Sequence, residues 1–157
     1  CVKKEFVTKL VGNDINYDGG YGEDGDFGIS LVKIGASVLF NPFSVNLHLK
    51  PPSGGYRAWG LQARVLGKMR KKQPWELDTP VKFIRPVPSP TIMYQILKQF
   101  DKKAFKEYSF KYFVFYFTKG KITHLPIKII KFPYRILQYK KSVFYAKNLI
   151  KLGKRTV

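Results

Sequence analysis

At 157 residues with 45% hydrophobic side chains, the chain is about one domain long and has enough apolar content for a core, which excludes a wholly disordered polymer. Its net charge is +19, and all of the excess falls after residue 60: residues 1–60 carry six basic and six acidic groups, leaving 23 basic and 4 acidic for residues 61–157. No apolar run approaches the roughly 18 residues of a membrane-spanning helix, and a single cysteine, Cys1, excludes an internal disulfide and fits a reducing cytoplasm.

In chain order, Phe6, Val7, Leu10 and Val11 fit one face of a short helix over 3–11, ended by Gly12-Asn13-Asp14. Asn16, Tyr17 and Asp18 then lead into Gly19-Gly20-Tyr21-Gly22-Glu23-Asp24-Gly25-Asp26-Phe27-Gly28, three carboxylates on a glycine-rich turn. Phe27, Leu31 and Ile34 recur at helical spacing, with Asp26 at the start and Gly35 at the cap, which predicts a helix over 26–34. Residues 36–40 and 44–49 read as strands separated by Asn41-Pro42, and 50–57 as a hinged lid with prolines at one end and Gly54-Gly55 at the other. A helix over 61–66 precedes a long connection in which Pro74, Pro80, Pro86, Pro88 and Pro90 forbid regular structure. Ser89-Pro90 then starts a helix over 91–100, Asp101 caps another over 102–117, and a last one runs over 126–152, with Pro133 as a kink and Gly153 as a stop.

The acidic turn carries the chemistry. A hydroxyl that attacks an activated carbon needs a carboxylate to take its proton, and Asp24 or Asp26 could serve, while Glu23 could hold the acceptor's other hydroxyls. A diphosphate leaving group calls for a divalent cation, for which His48 is the plausible imidazole; His124 in the basic tail is incidental. Asp24-Gly25-Asp26 also has the form of an Asp-x-Asp nucleotide-sugar motif, but too little chain precedes it for that role.

Gly20-Tyr21-Gly22-Glu23-Asp24-Gly25-Asp26-Phe27-Gly28, followed by Lys33-Ile34-Gly35-Ala36, Phe40-Asn41-Pro42 and Leu47-His48-Leu49-Lys50, resembles the acceptor-side half of bacterial family 2 GT-A glycosyltransferases, and its Gly-Glu-Asp core is similar to the acidic motif of galactosyltransferases. The resemblance spans roughly residues 13–60. It implies an α/β fold, the C-terminal part of a Rossmann-like GT-A domain over 1–66, a proline-rich linker over 67–89 and a basic, mostly α-helical tail over 90–157. It implies an inverting transferase of polysaccharide biosynthesis, with Asp24 the general base, Glu23, Asp26, Tyr21 and Gly22 on the acceptor, Lys50 and Arg57 near the donor phosphates, and His48 a ligand of Mn2+ or Mg2+. The implied partners are a nucleotide-sugar donor and a glycan or lipid-linked acceptor. The donor half and the Gln-x-x-Arg-Trp motif of processive synthases are missing, which favours one sugar per encounter and marks the chain, which starts without methionine, as a piece expected to be inactive alone.

In the tail, lysines flank aromatics, as in Phe110-Lys111-Tyr112-Phe113 and Tyr139-Lys140-Lys141. Such helices suit a membrane interface, with lysine stems along apolar surface and ammonium groups among anionic headgroups. The expectation is a cytoplasmic protein held peripherally on the inner face of the cell membrane, ahead of the rival that the same surface binds nucleic acid. The other class of reading is a non-catalytic basic module on either of those two surfaces.

Overall fold

Start and stop signals in the sequence decide where the helices lie. In the structure, a computed structural model that describes residues 2–10, 12–18, 21–39, 43 and 73–155, the helices are α1 (Lys4–Leu10), α2 (Glu23–Lys33), α3 (Pro90–Gln99), α4 (Lys102–Thr118) and α5 (Leu125–Leu152). Short 3-10 turns occupy Ile15–Tyr17, Pro74–Glu76 and Ile122–His124. Pro90 takes the first turn of α3, where its missing N–H costs nothing. Asp101 caps α4 by accepting the Ala104 N–H at 2.7 Å, and Gly153, with φ of 73°, ends α5. The helix α5 continues through Pro133.

The expected α/β architecture is overturned: the described residues are predominantly helical and contain no strand. Residues 36–39, expected to open the first strand, carry no ladder, and Val38 and Leu39 are 65% and 89% exposed. Apolar alternation over so few residues is satisfied equally by a surface segment, because a strand exists only through the partner that takes its hydrogen bonds. The second strand, the lid and the helix expected over 61–66 lie outside the described residues. The helix expected over 26–34 begins earlier, at Glu23, because Gly22 adopts φ of 107° as its cap and so starts the helix ahead of all three carboxylates.

The core forms where α3 lies along α5. Met93, Ala146 and Leu149 are fully buried there, joined by Tyr94, Ile96, Tyr139 and Tyr145. Trp75 meets Tyr145 edge to face at 5.1 Å, and the Tyr145 hydroxyl donates to the Thr79 carbonyl at 2.9 Å. The connection before α3 is pinned by buried Glu76, whose two carboxylate oxygens accept the Gln73 and Val81 N–H groups, each at 2.9 Å. Residues from both sides of the proline-rich stretch share this core, since the Tyr17 ring packs at a tilt against Tyr94, 5.3 Å between centroids.

Away from that core, α4 and the first part of α5 pair as a hairpin. No residue of α4 is buried, and burial on α5 begins only at Tyr139. An aromatic seam joins the two helices: Phe132 meets Phe113 at 5.6 Å and Phe117 at 4.9 Å, while Tyr139 meets Tyr112 at 5.1 Å. Arg135 lies over Tyr116 at 5.1 Å, and the Lys128 ammonium donates to the Phe117 and Lys119 carbonyls at the negative end of α4.

Candidate functional site

Two tethers fix the acidic turn. The Tyr21 N–H donates to Thr91 Oγ1 at 2.9 Å, which ties the turn to the first residues of α3, and the Gly22 carbonyl accepts the Asp26 N–H at 2.8 Å as the first bond of α2. Helix α2 then runs so close to α3 that a Cβ at Gly25 would collide with the Gln95 side chain. The turn therefore presents Glu23, Asp24 and Asp26 in one helical turn, but in two different environments.

Asp26 faces inward and is 6% exposed. Its Oδ2 is 2.8 Å from the Lys98 ammonium, and its Oδ1 accepts Gln99 Nε2 at 2.6 Å. Lys98 also pairs with Asp14 Oδ2 at 2.9 Å, and that same oxygen accepts the Tyr94 hydroxyl at 2.7 Å. Burial works against the Asp14 charge, yet hydrogen bonds from Tyr94, Lys98 and the Asn16 N–H outweigh it and hold the carboxyl below its ordinary range. Burial likewise opposes the Lys98 charge, and the hydrogen bonds to Asp26 and Asp14 outweigh it and hold the ammonium's pKa above the usual lysine value. The Tyr17 phenol is pushed far up, first by burial and then by the charge of Asp26 beside it.

Asn16 completes the network. Its amide donates to the Tyr94 hydroxyl at 3.1 Å and the Gly153 carbonyl at 2.7 Å, and its carbonyl oxygen accepts Arg155 Nε at 2.7 Å. Gln99 has a similar bridging role on α3: besides Asp26 it donates to Ser30 Oγ at 3.0 Å, and its own Oε1 accepts the Lys33 ammonium at 2.7 Å. These contacts lock α2 to α3 and α3 to the end of α5.

Glu23 and Asp24 face outward. Both are exposed and neither is hydrogen-bonded or ion-paired among the described residues. They line a cleft of about 210 Å³ together with Val7, Gly12, Asn13 and Phe27. A second cavity of about 380 Å³ shares Glu23 and Phe27 with the first and extends to Asp14, Asp26 and Lys98. The arrangement is an accessible pair of carboxylates at a cleft, beside a second cavity where one ammonium bridges two buried carboxylates. Such a pair can accept hydrogen bonds, or a proton, from a hydroxyl that enters the cleft.

The structure thus gathers Tyr21, Gly22, Glu23, Asp24 and Asp26 at one place, and it sets Asp26 apart from the other two acids by occupying its oxygens. His48, Lys50 and Arg57 lie outside the described residues, and among the described residues no three His, Cys, Asp or Glu side chains gather as a metal would require. Sequence reasoning missed Asp14, Asn16, Tyr94, Lys98 and Gln99. Asp14 and Lys98 are separated by 84 positions, and no local pattern marks either one.

No family model matches the chain, and no curated protein and no solved structure matches it.

Proposed function

We propose that the chain supplies the acceptor-side acidic site of an inverting glycosyltransfer. Asp24 takes the proton of an acceptor hydroxyl as that oxygen bonds to the anomeric carbon of a nucleotide-sugar, and the bond to the nucleotide diphosphate breaks with its electron pair on the departing phosphate. The observation that supports this reading is the division of labour at the turn. Asp26 has its oxygens occupied by Lys98 and Gln99, whereas Asp24 stands exposed at a cleft with no partner among the described residues, free to take a proton. Glu23 and Tyr21 sit beside it to orient a glycan or lipid-linked acceptor.

Lys50 and Arg57 on the donor phosphates, and His48 on a divalent cation, belong to the proposal from sequence alone. The described residues do not gather a donor set for that cation. No helix among the described residues is long and apolar enough to cross a membrane. The protein is proposed to act peripherally on the inner face of the cell membrane, in the synthesis of bacterial polysaccharide.

Sugar transfer by the full-length protein, from a panel of nucleotide-sugars to glycan and lipid-linked acceptors, is the test. Asp24→Asn is expected to lower kcat by about a hundredfold or more while leaving the unfolding midpoint unchanged. Full activity in Asp24→Asn would remove the base. A second reading, a non-catalytic basic module on an anionic membrane or nucleic acid, draws on the exposed hairpin and is indifferent to Asp24, so the same variant separates the two.

A further inference from the structure

The hairpin of α4 and early α5 carries two opposite faces. On α5 the residues turned toward α4 are Lys128, Phe132, Arg135 and Tyr139, spaced four, three and four apart, and each of them contacts α4. Ile127, Ile130, Tyr134 and Leu137 follow the same helical spacing on the other side and are 52%, 79%, 48% and 47% exposed. On α4, Phe110 and Phe115 are 72% and 64% exposed, and Ile122 in the connecting turn is 84% exposed. Leaving this much large apolar surface in water is the mark of an interaction site.

Charge identifies the occupant. Between residues 108 and 137 the chain has Lys111, Lys119, Lys121, Lys128, Lys131 and Arg135 and not one Asp or Glu. Lys111, Lys119, Lys121 and Lys131 are exposed among the apolar side chains. A second copy of this chain would bring the same sign of charge to the contact and be repelled. An anionic lipid surface offers both complements at once, acyl chains for the isoleucines and phenylalanines and headgroup phosphates for the lysines.

We infer that the face of α5 turned away from α4, formed by Ile127, Ile130, Tyr134 and Leu137 and continued by Ile122 in the turn, with Lys121 and Lys131 at its edge, is the surface by which the protein lies on an anionic bilayer. The inference rests on the peripheral attachment proposed above and is independent of the sugar chemistry.

The test is co-sedimentation of the purified full chain with vesicles of phosphatidylcholine alone and of equimolar phosphatidylcholine and phosphatidylglycerol, with helical content followed by circular dichroism. Binding is expected on the anionic vesicles only, weakening as salt is raised. Lys121→Gln with Lys131→Gln should weaken it about 25-fold, at about fivefold for each lysine neutralised. Ile127→Ser with Ile130→Ser should weaken it about tenfold or more with helical content unchanged. Binding that both double variants retain in full would overturn the hairpin surface while leaving peripheral attachment intact. Failure to bind any vesicle would overturn both, and so would binding to a mixed-sequence oligonucleotide with no binding to vesicles. The Asp24→Asn chain should sediment like the parent, which keeps this outcome separate from the fate of the sugar-transfer reading.

Discussion

Lysine does opposite work at the two ends of this molecule. At the site end, Lys98 is folded inward between Asp14 and Asp26, 2.9 Å and 2.8 Å away, with Tyr17 and Tyr94 rings 5.6 Å and 5.4 Å from its ammonium. At the hairpin end, Lys111, Lys121 and Lys131 stand in solvent with no acidic residue between positions 108 and 137. One sequence-wide excess of charge therefore divides into a structural part, cancelled by carboxylates, and a free part available to a partner. The net charge of +19 understates the second and says nothing about the first.

The largest expected effect breaks the structural side of that contrast. Lys98→Met removes the cation between two buried carboxylates, and chemical denaturation should show a loss of about 3–5 kcal/mol, the usual cost of leaving a buried charge uncompensated. A loss below about 1 kcal/mol would show that water reaches Asp14 and Asp26 freely.

The next prediction concerns acid. The folded-state pKa of Asp14 is depressed, so its stabilisation is whole above the ordinary carboxyl value of 3.8 and drains away as pH falls through the lower folded value. Lys98 is shifted upward, so its contribution is whole below 10.5 and is lost only as pH rises through the higher folded value. Thermal melts across the acid limb should therefore fall more steeply for the parent than for Lys98→Met, in which Asp14 has lost part of what depresses it. Identical acid limbs would remove Lys98 as a cause of the shift.

The smallest effect sharpens the other side. Ile130→Ser, at a position 79% exposed, should change stability by no more than about 0.5 kcal/mol. A larger loss would mean that the outer hairpin face is buried in solution, against a second copy or another segment.

What was legible in the sequence follows the range of the interactions. Ser89-Pro90, Asp101 and Gly153 are punctuation that acts within a turn of itself, and α3, α4 and α5 lie where those residues predict them. The strand expected to open at Ala36 depended on a ladder partner, and apolar alternation cannot show whether one arrives. Asp26 shows the same limit at the site. A carboxylate in the first turn of a helix looks alike whether it caps, catalyses or pairs, and the distinction was made by Lys98, 72 positions away. The start of α2 alone puts Glu23 and Asp24 in solvent, where no distant residue among those described engages them.

The closure around Asn16 bears on how the chain reaches this state. The Ile15 N–H donates to the Arg155 carbonyl at 2.9 Å, and Asn16 holds Gly153 and Arg155, so the first and last parts of the described chain are stitched directly together. During synthesis Asp14 and Asn16 leave the ribosome well before their partners and wait, with their polar groups in water, until almost 140 further residues have followed. The hairpin needs only neighbours in sequence, and contacts of such short range form early. The tie from Asn16 to Gly153 and Arg155 is therefore among the last contacts to close, long after the hairpin has paired, and it is the step that turns a string of locally formed helices into one cooperative unit.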